Sequence, residues 1–409
     1  MYDFNLHLFW AFLIGLSRML YFIRIYIFFI SVQTLNYIKA YLFMEKFNKL
    51  RSGAVYLLRS KLRFIIPLLI FFFLKIISAF LLLQRIEEKD FLSLFHGWDS
   101  FYYMSIATRW YPNTIVELWA FFPFYPYISR IINIVLHDVW LSTTVVSFIS
   151  GVIWIPIYQS IAERYINAKE SFFSTCMFAS FPQVFLFTSV AYSESLFLLT
   201  TLVAWLLYLR GKIFGSCISA SLVTLTRPYG ILIILPILLG LLKRNLWKKS
   251  LLVLFPLSTL LGWVWYNFIK TGDYFAFITA QEQWIGQPWQ PGNWFREFFL
   301  PLLNVKQPTH TMAPLAAYIF LIPFIVLTAY LIIMTFGIDW KLGVYGAAVF
   351  ITALSIGTPL SAPRFIPFIF PLWLNIKTKK FIIAFTACVF FYLHAMVVWF
   401  LFTSNIWVG

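Results

Sequence analysis

The sequence predicts an all-α, polytopic membrane protein, and three observations lead to this fold class. Hydrophobic residues make up 61% of the 409 residues and charged residues only 11%, whereas soluble domains average roughly 45–50% and 25%. The apolar residues fall in runs close to the length of about 17–25 residues that crosses a bilayer. Lysine and arginine gather at the ends of these runs, as they do on the cytoplasmic flanks of membrane helices.

The distribution of charge and cysteine excludes other classes of protein. The net charge of +16 is spread over the ends of apolar runs, so it indicates membrane topology and predicts no nucleic-acid partner. The three cysteines are scattered along the chain with no CxxC spacing. They predict packing residues, without a redox or metal role.

Residues 1–63 are expected to form an N-terminal interfacial and cytoplasmic extension, followed by a transmembrane domain over 64–409. Arg18 and Arg24 interrupt the first apolar run, and a charge at bilayer depth costs about 2.5–3.5 kcal/mol on insertion scales. The run therefore favours an interfacial helix or a poor first span. The basic segment 39–63 places the start of the transmembrane domain in the cytoplasm.

The basic clusters order the remaining apolar runs into about eleven crossings, each near the length of a bilayer span. The predicted spans are 64–83, 141–160, 172–187, 195–209, the two arms of a hairpin within 213–242, 251–269, 313–336, 342–360, 365–376 and 381–402. The two shortest, 213–226 and 365–376, also fit re-entrant segments. This order places the loop 84–126 on the extracytoplasmic side, together with residues 194, 227 and 364.

Five of these extracytoplasmic residues combine charge with an apolar setting: Asp99, Glu117, Glu194, Arg227 and Arg364. Each has an ordinary interpretation, because loop acids are usually solvated and arginines at helix ends reach for the headgroups. Together they supply a base, further acids that can bind hydroxyls, and two guanidinium groups in one compartment. The set therefore predicts a site.

The chemistry that fits this set is the transfer of a sugar from a lipid phosphate. A carboxylate in an apolar, aromatic setting is a better base than one in water, and Asp99 lies among Trp98, Phe101 and Tyr102. Arginine suits the leaving phosphate, because its planar fork binds two oxygens and keeps its charge. We expect no metal and no cofactor, since the sequence shows no DxD pair or histidine cluster.

Two aromatic features have two interpretations each. His96 tunes the base or binds substrate, or it is an ordinary loop histidine. Trp284, Trp289 and Trp294 lie in the loop 270–310, where they either stack on sugar rings or form an interfacial belt.

Four segments, in chain order, resemble motifs of the PIG-V type mannosyltransferases. They correspond to the first luminal loop, the AYSE(S/A)LF segment, the TR-x-x-G turn and the late PRF or PRY motif of that family. In this sequence they are Gly97–Tyr102 with Ile106, Ala107, Glu117 and Ala120–Pro126, then Ala191–Phe197, Thr226–Gly230 and Pro363–Phe365. Together they span most of the chain after the N-terminal extension.

The resemblance implies a GT-C type helical bundle and an inverting transfer of mannose from a dolichyl- or polyprenyl-phosphate donor. Asp99 corresponds to the base, and Trp98, His96, Glu117, Tyr192 and Glu194 belong to the substrate site. Arg227 and Arg364 are assigned to the donor phosphate on physical grounds. The implied acceptor is a glycolipid or glycan, in eukaryotes the growing GPI anchor.

Other interpretations stay open from the sequence alone. A prokaryotic relative would act on another glycolipid or glycan at the cell membrane, whereas a eukaryotic one would lie in the endoplasmic reticulum. A GT-C transferase of another hexose fits the same motifs. A transporter or flippase of a lipid-linked sugar would use the same arginines. Membrane lipids are expected partners in every case, and whether a small membrane partner subunit takes part stays open.

Overall fold

The structure is a computed structural model that describes residues 53–84, 90–285, 315–355 and 361–406. The chain divides into two compact units, Met1–Leu62 and Arg63–Gly409. Most of the first unit lies outside the described residues, as do the expected interfacial segment and the loop carrying Trp289 and Trp294.

All regular secondary structure in the described part of the chain is helical, with no β-strand. Short 3-10 turns connect or extend several of the helices, at Phe91–Phe95, Val116–Ala120, Pro228–Ile233, Leu251–Val253, Ile366–Phe368 and Phe370–Asn375. In chain order the α-helices are α1 Gly53–Leu83, α2 Asp99–Arg109, α3 Phe124–Leu136, α4 Val139–Ala162, α5 Ala168–Ser180, α6 Pro182–Phe187, α7 Glu194–Leu209, α8 Ile213–Thr226, α9 Ile234–Lys243, α10 Trp247–Ser250, α11 Leu254–Thr271, α12 Ala276–Thr279, α13 Glu282–Ile285, α14 Leu315–Ile338, α15 Trp340–Ser355, α16 Ala362–Phe365 and α17 Phe381–Thr403.

The predicted all-α membrane fold class is confirmed. Five helical segments of the described chain are long and apolar enough to cross a bilayer, and each overlaps a span expected from the sequence: Lys61–Leu83, Val139–Ala162, Trp247–Thr271, Leu321–Ile338 and Phe381–Thr403. Five further apolar helical segments are shorter. The total of about eleven crossings, each near bilayer length, stays a prediction.

Three segments differ from the sequence expectation, and proline explains two of them. The run 172–187 forms α5 and α6, since Pro182 starts a new helix. The run 365–376 forms α16 and two 3-10 turns, because Pro367 and Pro371 lack the N–H that a continuous helix needs. Helix α3 was not expected; it ends before Asp138, whose side chain accepts from the backbone N–H groups of Trp140 and Leu141 and starts α4.

Contacts between charged helix ends agree with the predicted order of crossings. Arg63, near the start of the first predicted span, pairs with Glu163 at the end of α4 (Nη2–Oε2 3.1 Å). Tyr165, on the same side as Glu163, donates to Asp339 between α14 and α15 (Oη–Oδ2 3.3 Å). All four residues belong to loops or helix ends that the basic clusters assign to the cytoplasm.

The core is built where α4, α7 and α8 pack side by side. Its interior is rich in fully buried aromatics, including Trp154, Tyr158 and Trp205. Gly151 of α4 lies against the segment between α6 and α7 so closely that an added Cβ would stand 1.9 Å from the Thr188 carbonyl oxygen. This close approach fixes the segment that continues to Glu194.

We expect Gly151→Ala to destabilise the protein by about 1–3 kcal/mol, the usual cost of overpacking a close-packed interior. The matched control is Gly262→Ala in α11, where an added Cβ meets nothing within 4 Å and helix propensity favours alanine. Thermal unfolding of both variants in the same detergent measures the difference. Equal melting temperatures would contradict the packing described for α4.

Candidate active site

Four charged side chains that are remote in sequence form one ion-pair network. Asp99 Oδ2 lies 2.7 Å from Arg364 Nη1. Arg364 Nε donates to Glu194 Oε1 at 2.5 Å, and Glu194 Oε2 lies 2.6 Å from Arg227 Nη2. The order of contacts is therefore Asp99, Arg364, Glu194, Arg227, and all four were candidates from the sequence.

The network is buried except at one end. Glu194, Arg364 and Arg227 are 1%, 3% and 7% exposed, whereas the Asp99 side chain is 21% exposed. Isolated charges in such a setting are strongly unfavourable, so each needs an opposite charge and hydrogen bonds. Two carboxylates and two guanidinium groups meet this need and leave the network neutral.

The helices place the two carboxylates at favourable positions. Asp99 is the first residue of α2 and Glu194 the first residue of α7. Unpaired N–H groups give a helix N-terminus a partial positive charge, which stabilises a carboxylate there. The fold therefore brings two helix starts to the arginines.

Arg227 directly follows α8 and is tied to its surroundings through all three nitrogens. Its Nε donates to Ser193 Oγ (3.0 Å) and its Nη1 to the Tyr229 hydroxyl (3.2 Å), in addition to the Nη2 pair with Glu194. The turn that carries Arg227 needs Gly230, because a Cβ at this position would lie 2.3 Å from the Val223 carbonyl oxygen.

Arg364 lies over aromatic faces. Its guanidinium carbon is 4.7 Å from the ring centre of Tyr192 and 5.0 Å from that of Phe187. Cation–π contacts of this kind are worth about 0.5–2 kcal/mol, more when they are desolvated. The rings of Tyr192 and Phe187 thus orient the arginine.

A strained turn aims Asp99 at Arg364. Trp98 has φ +50° and ψ −116°, a conformation that side chains rarely adopt and that persists only where the surroundings enforce it. The Tyr192 hydroxyl provides such an enforcement, since it donates to the Gly97 carbonyl (3.1 Å) and accepts from the Asp99 N–H (3.2 Å). Tyr192, predicted in the substrate site, therefore holds the backbone of the candidate base.

Lys75 is a functional candidate that the sequence reasoning missed. It lies within α1, is 2% exposed, and donates to the Thr188 carbonyl, Thr188 Oγ1 and Ser189 Oγ at 2.7–2.9 Å. Among the described residues it forms no ion pair. It thus pins the segment leading to Glu194, and a lone lysine inside an apolar run was the signal that could have revealed it.

Three other sequence candidates lie outside the ion-pair network. The Trp98 side chain is 40% exposed, and Glu117 is partly buried in the turn Val116–Ala120 without an ion pair to any described residue. His96 is 6% exposed, and both ring nitrogens are engaged, with the Leu92 carbonyl (2.8 Å) and with Thr143 Oγ1 (3.0 Å). This geometry is that of a packed loop histidine.

In the part of the chain that the structure describes, no three His, Cys, Asp or Glu side chains are grouped as metal ligands. Asp99 and Glu194 each bind arginine, so their carboxylates are already paired with cations. The expectation of a metal-independent site stays a prediction.

Similarity to known proteins is found among solved structures, at TM-scores below 0.5. No protein-family model and no curated protein sequence matches the chain. Two crystal structures of ArnT from Cupriavidus metallidurans match it, one bound to undecaprenyl phosphate (14% identity, TM-score 0.49) and one in the apo state (15% identity, TM-score 0.48).

The match covers 79% of this chain and 62% and 61% of the two ArnT chains, so this protein spans less than two thirds of the length of ArnT. A likeness at this identity and TM-score assigns no activity or ligand to this chain.

We expect Glu194→Gln to destabilise the protein by about 3–5 kcal/mol, because it leaves two buried arginines without their shared counter-charge. The control is Asp90→Asn, since Asp90 is exposed and loss of a surface carboxylate costs under about 1 kcal/mol. Thermal unfolding in detergent compares the two variants. Equal losses would show that the central carboxylate does not stabilise the network.

His96 predicts a pH dependence of stability. Burial lowers the pKa of His96 from 6.5 to about 4, so the unfolded chain binds its proton first as the pH falls. The stability from neutral His96 is therefore fully present above about pH 6.5 and is lost towards pH 4. Melting temperatures measured from pH 7.5 to 4.5 should fall less steeply in His96→Gln than in the wild type, whereas the exposed His137→Asn should keep the wild-type slope.

Proposed function

We propose that the protein is a membrane glycosyltransferase of the GT-C class, which transfers a sugar from a lipid phosphate with Asp99 as general base. The observation that carries this proposal is the joining of Asp99, Glu194, Arg227 and Arg364 into one network with Asp99 at its open end. The candidate base, Asp99, contacts the guanidinium group of Arg364 directly. A base next to a guanidinium group suits a reaction that removes a proton and releases a phosphate.

The proposed reaction is a single inverting displacement. The acceptor hydroxyl oxygen attacks the anomeric carbon of the donor, and its proton passes to Asp99. The bond between the anomeric carbon and the phosphate oxygen breaks, and the phosphate leaves with the bonding electron pair. Arg364, and Arg227 behind it, offset the charge that develops on that phosphate.

The two oxygens of Asp99 suit different tasks. Oδ2 contacts Arg364, whereas Oδ1 has no hydrogen bond or ion pair to any described residue. We therefore assign to Oδ1 the role of receiving the acceptor proton. Trp98 and Glu117 supply an exposed indole and a carboxylate on the same loop, which suits the binding of sugar hydroxyls and ring faces.

The finer assignment rests on the four PIG-V type motifs. They support mannose as the sugar, a dolichyl- or polyprenyl-phosphate carrier, and a glycolipid or glycan acceptor of the GPI-anchor kind. The active domain is then 64–409 with the catalytic loop 84–126 on the extracytoplasmic or luminal side. The membrane is that of the cell in a prokaryote and of the endoplasmic reticulum in a eukaryote.

We expect Asp99→Asn to lower the transfer rate by about 100-fold or more, because general base catalysis contributes about 10²–10⁴. The assay uses membranes from the producing cell, which hold the native acceptor, and polyprenyl-phosphate mannose labelled in the sugar. The matched control is Asp90→Asn, which removes an exposed carboxylate from the same loop and should keep the wild-type rate.

Two results would contradict the proposal. Full transfer by Asp99→Asn would remove Asp99 as the base. Movement of labelled lipid across sealed vesicles without any new glycosidic bond would instead indicate a flippase.

A further inference from the structure

The contacts of Arg364 show what a phosphate would meet. In this structure the Nη1 edge that faces the open end of the network is already occupied by Asp99 Oδ2 at 2.7 Å. Arg364 itself is 4% exposed at the side chain, against 21% for Asp99. The carboxylate thus lies over the guanidinium on the side from which a ligand would approach.

The charges of the network leave no excess for an anion. Asp99 and Glu194 contribute two negative charges, and Arg227 and Arg364 two positive charges, so the sum is zero. Arg227 has partners on all three nitrogens. A lipid phosphate therefore needs a carboxylate to leave before a guanidinium becomes available to it.

The geometry decides which carboxylate can leave. Glu194 is 1% exposed and held by both arginines at 2.5 Å and 2.6 Å. Asp99 has a single ion pair within the described part of the chain and lies at the exposed end. Displacing Glu194 would separate two buried pairs, whereas displacing Asp99 separates one pair and leaves the carboxylate near water.

We propose, on the basis of the function above, that the Asp99 carboxylate occupies the phosphate-binding position on Arg364 in the resting enzyme. The donor phosphate displaces this carboxylate when it binds. Arg364 then binds two phosphate oxygens, and Asp99 turns to the acceptor hydroxyl. A carboxylate that loses a guanidinium partner becomes a stronger base. Donor binding therefore activates the base, and the donor binds before the acceptor reacts.

This exchange has a consequence opposite to that of an ordinary binding residue. If Asp99 competes with the phosphate, removal of the Asp99 charge gives the network a net charge of +1. The Arg364 Nη1 group then no longer faces a competing carboxylate. Asp99→Asn should then bind a polyprenyl monophosphate without sugar about 10-fold more tightly than the wild type, although it no longer transfers sugar. If Asp99 only supported the site, its loss would weaken binding or leave it unchanged.

The experiment titrates purified full-length protein with a polyprenyl monophosphate and follows both binding and thermal unfolding. Asp99→Asn and Asp99→Ala are the test variants, and the second keeps the test decisive where the first fails to fold. Asp99→Glu keeps the competing carboxylate and Asp90→Asn removes a remote one, so both should bind like the wild type. Arg364→Gln should lose binding.

The outcomes separate this inference from the proposed function. Tighter binding by both test variants, with wild-type binding by the two controls, is the expected result. If the wild type binds the lipid and the test variants bind it equally or more weakly, the exchange is wrong. The proposed transferase function is then unaffected. No binding by the wild type or by any variant would overturn both.

Discussion

Glu194 is the carboxylate on which the arrangement of the site depends. It is fully buried, starts α7, and contacts a guanidinium with each of its oxygens. Two arginines at this depth would repel each other and lack solvation without it. The segment that precedes Glu194 is held by Lys75, by the close approach of Gly151 and by the backbone of Tyr192. A large part of the packing of α1, α4 and α6 therefore positions Glu194.

Neutrality of the network explains how a bilayer protein can keep four charges among apolar helices. Each charge is matched within 2.7 Å by an opposite one, and the arginines also lie over aromatic rings. The same neutrality means that the resting site holds no surplus attraction for phosphate. The difference in exposure between Asp99 and Glu194 then decides which pair is replaceable and which is structural.

Much of the fold and part of the site could be predicted from the chain. Long apolar runs gave the helices that cross a bilayer, because length and hydropathy alone decide that property. The broken runs at Pro182 and Pro367 were harder, since an apolar sequence carries the same hydropathy with or without a kink. Lys75 was missed because its importance lies in four oxygen atoms that another helix end presents to it.

The sequence by itself determined the membrane class, the order of the long helices and the identity of Asp99, Glu194, Arg227 and Arg364 as charges in apolar settings. Only the tertiary structure decided that these four join in a fixed order, with Glu194 central and Asp99 at the exposed end. The physical reason is that hydropathy and charge are local properties of the chain. The pairing of the four charges depends on how helices that are distant in sequence pack against each other. The exposure of Asp99, which makes its pair with Arg364 replaceable, depends on the same packing.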